Sequence, residues 1–386
     1  MEPLKVSEGS RYRGELNELV FELTALSAGF RRSLPEGVVL ALSELVRAMN
    51  CYYSNLIEGH DTHPIDIERA MRDDYSDEPG KRDLQLEARA HVFTQEWIDD
   101  GGLGRNLTSC EGLCEIHAKF CEQLPEDLLW VEEPNTGERV RVVPGELRER
   151  DVQIGCHIPV SFGAVPRFLD RFDQVYGDKG KAETIFSSAA AHHRLLWIHP
   201  FVDGNGRVAR LMSNSMLREA LNTGGVWSVS RGLARQEAQY KRHLMACDQP
   251  RQGDLDGRGN LSERSLVEFT RFFLQTCIDQ VTFMEKLVQP DKLRERIRLW
   301  VEEEARTDGL PAKAGLVLDA MLYRGDLARG DISEIVGTGE RQARRIVSAL
   351  ERHGVVRSET TRAPLKIAFP AALAGRWMPG LFPEAI

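Results

Sequence analysis

Apolar residues recur at three- and four-residue spacings along most of this chain, and alternating stretches are few. The pattern predicts helices over about 15–30, 36–58, 64–73, 82–99, 107–124, 165–177, 182–198, 234–246, 263–288 and 291–305. In the fourth of these, Leu84, Leu86, Ala90, Phe93, Trp97 and Ile98 form the stripe, and Gly101-Gly102-Leu103-Gly104 stops it. The helical rhythm breaks between 131 and 158. Pro134–Gly137 reads as a turn, Val140–Val143 alternates as a short strand does, and 145–155 reads as a hairpin or extended loop. A polar, glycine-rich stretch at 251–262 is a solvated loop; its glycine and glutamate positions do not fit a calcium loop. Near the C-terminus, a helix at 316–323, a short one at 331–337 capped by Asp331, and a third at 338–354 precede two short strands at 355–357 and 365–369. In the third helix Ala343, Ile346, Val347 and Leu350 are expected to face inward.

The mainly α chain of 386 residues is long enough for two or three domains. No segment approaches the roughly 20 apolar residues of a membrane span, and the N-terminus lacks a secretory apolar core. Seven cysteines without CxxC spacing fit a reducing cytoplasm better than a disulfide framework. Cys110, Cys114 and Cys121 share a helix face with His117, a spacing better explained by thiols packed as small hydrophobes than by a metal site. A formal net charge of −9 gives no global case for nucleic-acid binding, so such binding needs a local basic patch.

One run, His199-Pro-Phe-Val-Asp203-Gly-Asn-Gly-Arg207-Val-Ala-Arg210, gathers most of the candidate chemistry. Helical stripes flank it, so Gly204-Asn205-Gly206 is expected on a loop that opens a new helix. Unpaired amides and the dipole at a helix start attract anions, and glycines let phosphate oxygens approach the backbone. Arg207 and Arg210, three apart, can both reach the loop with forked donors suited to phosphate. Asp203 is a hard oxygen ligand for Mg²⁺, which binds through few carboxylates plus substrate phosphates. His199, held neutral, can take the proton of an incoming hydroxyl. Phosphoryl or nucleotidyl transfer uses such a set.

The run resembles the Fic family signature, His-Pro-Phe-x-Asp/Glu-Gly-Asn-Gly-Arg-x-x-Arg, at every specified position. The resemblance extends over about residues 15–290 and implies a Fic-type helical bundle with a small β-hairpin flap. It also implies transfer of AMP from ATP to a Ser, Thr or Tyr hydroxyl of a protein, including the enzyme itself. His199 then serves as base, Asp203 as Mg²⁺ ligand, and Gly204, Asn205, Gly206, Arg207 and Arg210 as the phosphate cradle. Upstream, Ser54-Asn-Leu-Ile-Glu58-Gly59 resembles the family's N-terminal inhibitory helix, with Glu58 competing for Arg210 against the terminal phosphate of ATP. Residues 144–160 resemble the flap that holds a target segment by strand addition, although Pro159-Val-Ser-Phe-Gly163 is less proline-rich than the family pattern. Tyr240 is a candidate for the adenine pocket, or a core tyrosine. The direction of reaction stays open, because Glu58 could instead orient water for removal of AMP. The donor also stays open, since relatives use other nucleotides or phosphate-containing donors.

The expected organisation is an N-terminal helical region with the inhibitory helix (1–95), a catalytic core (96–290), a linker helix (291–310) and a C-terminal domain (311–386). Three helices followed by a hairpin in this last part resemble a winged helix. Arg341, Arg344 and Arg345 on its third helix are candidate DNA contacts; the alternative use of such a module is dimerisation or target docking. A DNA-binding regulator with the Fic core as nucleotide sensor is the competing reading of the whole chain.

Overall fold

The computed structural model describes residues 1–104, 106–132, 137–307 and 309–383. Residues 134–136 of the expected turn, and Asp308 at the expected domain boundary, lie outside the described residues. The helices in chain order are α1 (Arg13–Arg32), α2 (Glu36–Ile57), α3 (Pro64–Ala70), α4 (Pro79–Asp99) and α5 (Cys110–Cys121). A two-stranded antiparallel ribbon follows, β1 (Trp130–Glu132) with β2 (Arg139–Arg141), in which Val131 faces Val140. Then come α6 (Val165–Tyr176), α7 (Lys181–Ile198), α8 (Asn205–Leu221), α9 (Val229–Arg235), α10 (Glu237–Cys247) and α11 (Glu263–Leu287). The chain continues with α12 (Pro290–Thr307), α13 (Ala314–Arg324), α14 (Ile332–Ile335), α15 (Glu340–Arg352), the strands β3 (Val356–Arg357) and β4 (Lys366–Ile367), and α16 (Ala374–Trp377).

Two compact units divide the chain. The first comprises Met1–Ser27, Asn50–Thr223 and Ser228–Gln280; the second comprises Ala28–Met49, Gly224–Trp227 and Val281–Ile386. In the first, α7 and α8 form the central pair, with α4, α5 and α6 packed around them. Twelve residues of α7 are buried, among them Ser187, Ser188, Ala189, Ala190 and Ala191, whose small side chains let neighbouring helices approach closely. Buried polar groups on this helix are satisfied locally or across the core. Ser188 Oγ donates to the Ile185 carbonyl at 2.8 Å, and the Arg194 guanidinium donates twice to the Pro3 carbonyl, at 2.8 and 3.1 Å. The N-terminal segment is thereby tied to the core.

The stretch expected as one helix over 234–246 is two. Ser228 Oγ accepts from Arg231 N at 3.2 Å and so starts α9 early, and Gln236, at φ −120° and ψ 32°, breaks the path before α10. The segment 145–155 makes no strand ladder; a single antiparallel bridge joins Ile154 to His157.

In the second unit, α13, α14 and α15 precede the antiparallel pair β3 and β4, in which Val356 faces Ile367. Ala343, Ile346, Val347 and Leu350 are buried, and Arg341, Arg344 and Arg345 are exposed on the opposite face of α15. Asp331 stands at the N-cap of α14 without a side-chain cap bond, because a 3₁₀ turn over Arg329–Asp331 already leads into the helix.

Candidate active site

The site is built where α7 hands over to α8. Helix α7 ends at Ile198, and His199 takes a left-handed conformation, φ 51° and ψ 63°. Pro200 follows, and a residue before proline avoids the right-handed helical region, so the turn places the His199 imidazole outside the helix line. Phe201 is fully buried and stacks on His117 of α5, ring centroids 4.1 Å apart and planes at 2°. Asn205 closes the loop: its Oδ1 accepts from Phe201 N at 3.0 Å and its Nδ2 donates to Phe201 O at 2.9 Å. Gly204, at φ 80°, occupies the N-cap of α8 in a conformation that a Cβ disfavours. The first intrahelical bond there runs from Val208 N to Gly204 O at 3.0 Å, which leaves the amides of 205–207 at a helix start.

Both arginines of the run are buried and turned to the same side. Arg210 Nε donates to Ser54 Oγ at 2.8 Å and Nη2 donates to the Ser54 carbonyl at 3.3 Å and to Glu58 Oε1. Gly206 makes this clasp sterically feasible, because a Cβ there would stand 2.3 Å from Glu58 Oε1 and 2.9 Å from Arg210 Nη1. Gly59, at φ 88°, reverses the chain at the end of α2, so that His60 N donates to Asn55 O at 2.9 Å. Arg207 reaches Glu87 Oε2 of α4 at 3.2 Å, and its Nη1 lies 3.6 Å from Asp203 Oδ2. Tyr240 is buried, with its hydroxyl 2.6 Å from His192 Nε2, while His192 Nδ1 lies 2.8 Å from Ser213 Oγ.

Electrostatics follows from these contacts. Burial, and secondarily the charge of Arg148, push the half-buried His199 imidazole down to about 4, so it is neutral and able to accept a proton at pH 7. Burial opposes ionisation of Glu58, but the charge and hydrogen bonds of Arg210 outweigh it and hold the carboxyl below its usual range. Glu87 is lowered in the same way, against burial, by its bond to His60 and the charge of Arg207. Its bond to Glu87, in turn, raises His60. Asp203, half-exposed at the loop mouth, is a lone carboxylate: no group of three or more metal-ligating side chains occurs among the described residues. One exposed carboxylate beside a helix start that favours anions is a donor set that Mg²⁺ accepts when phosphate oxygens and water supply its other ligands.

Residues 107–217 match the family model described as Fic/DOC family. This stretch, which holds the whole His199–Arg210 run, is a Fic domain. Curated relatives include the protein adenylyltransferase Fic of Drosophila melanogaster, 38% identical over 78 residues, which are 20% of this chain and 16% of the relative. The protein adenylyltransferase Fic of Drosophila virilis is 33% identical over 110 residues, 27% of this chain and 23% of the relative. The matched stretch thus spans under a quarter of the length of either relative. Among solved structures, a Fic family protein from Desulfovibrio desulfuricans G20 aligns with a TM-score of 0.53 at 15% identity, over 94% of this chain and 98% of that one. A Fic domain containing signaling protein from Bacteroides thetaiotaomicron VPI-5482 gives a TM-score of 0.50 at 16% identity, over 69% and 96%. These two likenesses are of fold.

The structure brings His199, Asp203, Gly204, Asn205, Gly206, Arg207 and Arg210 onto one loop and helix start, with Ser54 and Glu58 against Arg210. Tyr240 lies in the core of the same unit, bonded to His192. Arg341, Arg344 and Arg345 belong to α15 of the second unit. Sequence reasoning missed Glu87 and His60, which no local pattern marks, and it read His117 only beside the thiols of its own helix, not as the ring that stacks on Phe201.

Proposed function

We propose that this protein transfers AMP from ATP to a hydroxyl side chain of a protein, itself included, and that Glu58 restrains the reaction. The curated relatives named protein adenylyltransferase support the reaction class. The observation that carries the reading is the meeting, at one helix start, of a neutral imidazole, a glycine-lined anion site and two buried arginines. His199 takes the proton of the attacking hydroxyl. Its oxygen bonds to the α-phosphorus, the bond from that phosphorus to the bridging oxygen breaks, and pyrophosphate leaves. The amides at the start of α8 and Arg207 hold the phosphates, and Arg210 holds the terminal one. Asp203 would hold Mg²⁺, which when bound neutralises phosphate charge.

The restraint rests on the Glu58–Arg210 clasp. An arginine bonded to Glu58 and Ser54 has fewer donors left for a terminal phosphate, and a nucleotide seated without that contact is misaligned for attack. Because Glu58 also faces the same loop, as the close approach to Gly206 indicates, the reverse use of this carboxylate, orienting water to remove AMP, is the second reading. Incubating Glu58→Gly protein with Mg²⁺ and ATP labelled at the α- or the γ-phosphate separates the chemistries. The proposal expects protein-bound label from the α-position alone, lost in His199→Ala. Label from the γ-position would mean kinase-type transfer and overturn it.

The reading places the protein in the cytoplasm, and no helix among the described residues is long and apolar enough to cross a membrane. For the second unit we propose DNA contact through α15. Its exposed Arg341 and Arg345 support this, whereas Arg344 is paired with Glu340 at 3.0 Å. Salt-dependent DNA binding lost in Arg341→Ala/Arg345→Ala would support that use; salt-independent or absent binding would leave α15 a protein-docking helix.

A further inference from the structure

Arg148 begins the segment that returns to the core at Val160, and its guanidinium is wholly enclosed. A buried cation costs several kcal/mol of desolvation on an order-of-magnitude scale, and here no buried carboxylate offsets it. The nearest acid, Asp151, is 3.7 Å from Nη1, is 67% exposed, and already accepts from Phe162 N at 2.8 Å. Backbone carbonyls surround the guanidinium instead. Nε donates to His199 O at 2.8 Å, Nη1 to Arg150 O at 2.7 Å, and Nη2 to Val160 O and, at 3.5 Å, to Ile198 O. The backbone amide of Arg148 donates to Pro200 O at 2.9 Å. Three consecutive carbonyls at 198–200, from the last residue of α7 through the turn that follows it, are therefore all taken by one residue. The same side chain grips both sides of the neck of the 149–159 loop.

We propose that Arg148 is a positioning residue that locks this loop and the His199 turn into one rigid piece, so that a hydroxyl held on the loop meets the base in fixed register. The inference rests on the proposed role of His199 as base. Its geometry does not depend on that role.

Two consequences are separable. The fork of donors fixes backbone at 148–160 and 198–200 together. The charge also acts on His199, which is faced as well by His157 from the same loop and by Glu58 from the end of α2. His157 is itself tethered, its Nε2 2.8 Å from Trp197 O. A lysine at 148 keeps the charge and loses the fork; a methionine loses both.

The test uses the full-length Glu58→Gly protein, alone and with Arg148→Lys or Arg148→Met. Amide hydrogen exchange is read at the non-proline residues of 149–160 and at Ile198 and His199, and the His199 imidazole is titrated by NMR of histidine-labelled protein, assigned with His199→Ala. Both substitutions are expected to speed exchange roughly tenfold in the two segments together. Arg148→Met alone is expected to raise the His199 midpoint by about one pH unit. If Arg148→Met does not fold, the exchange of Arg148→Lys decides. Faster exchange confined to one segment, or a His199 midpoint unchanged in folded Arg148→Met, overturns the proposal. Both readouts survive even if no AMP transfer is found, so a failure of the reaction assignment is seen separately as absence of α-label in Glu58→Gly.

Discussion

Arg210 has three acceptors in this structure, Ser54 Oγ, the Ser54 carbonyl and Glu58 Oε1, and a nucleotide's terminal phosphate would need the same donors. Hydrogen bonds to a charged group contribute about 1.5–3 kcal/mol each, so Ser54→Ala should loosen the clasp only partly. Initial rates of self-labelling should rise severalfold in Ser54→Ala and more in Glu58→Gly; a Ser54→Ala rate equal to wild type would remove Ser54 from the restraint. The state of His199 gives a second expectation at this scale. A base must be neutral, and this imidazole is displaced downward to about 4 from the 6.5 of an ordinary histidine. In Glu58→Gly protein the transfer rate should therefore hold as pH falls through 6.5 and drop only towards 4. A rate that already halves near 6.5 would mean that His199 is not shielded as its surroundings indicate.

The loop between α7 and α8 shows how far elements could be read in advance. Its candidate chemistry was legible because the residues of the Fic-like signature lie in one contiguous run, and the helical stripes on both sides placed it between helices. The internal fastening was not. Asn205 reads as a backbone phosphate contact, and nothing in the sequence shows that its side chain clips the amide and carbonyl of Phe201. Asn205→Ala should lower stability by about 1–3 kcal/mol, measured as a shift in the urea midpoint at constant m-value. A change within about 0.5 kcal/mol would mean that the clip is redundant. Glu87 and His60 escaped notice, and His117 was read only with the thiols of its own helix, for a related reason: helices α4 and α5 and the turn after α2 converge only through tertiary packing. The break at Gln236 escaped because the apolar spacing runs on across it, and only the Ser228 cap shifts the start of α9.

At the scale of the whole molecule, the core holds several neutral histidines. Burial depresses His91 and His192 to about 3, and His117 and His193 to about 4. In the unfolded chain these rings protonate as pH falls through 6.5, whereas the folded rings resist until near 4 or below. Stability present above pH 6.5 is therefore lost progressively between 6.5 and 4. His60, raised by Glu87, works the other way and offsets part of this. These four groups alone give a limiting slope of about 5 kcal/mol per pH unit. Urea titrations at pH 7, 6 and 5 should show the midpoint falling steadily, and equal midpoints would show that these rings titrate normally. The clasp itself follows the carboxylate rule: Glu58, lowered by Arg210, keeps it closed until pH falls through its depressed value.

The central claim is that one arginine decides whether AMP moves. Its most direct test is the initial rate of α-label incorporation in wild type, Glu58→Gly and Glu58→Gly/Arg210→Ala at equal protein, Mg²⁺ and ATP. The structure predicts a rise of at least about tenfold from wild type to Glu58→Gly, corresponding to roughly 1.4 kcal/mol, and collapse of that gain when Arg210 is also removed. Equal rates in wild type and Glu58→Gly, or a Glu58→Gly gain that survives Arg210→Ala, would contradict it.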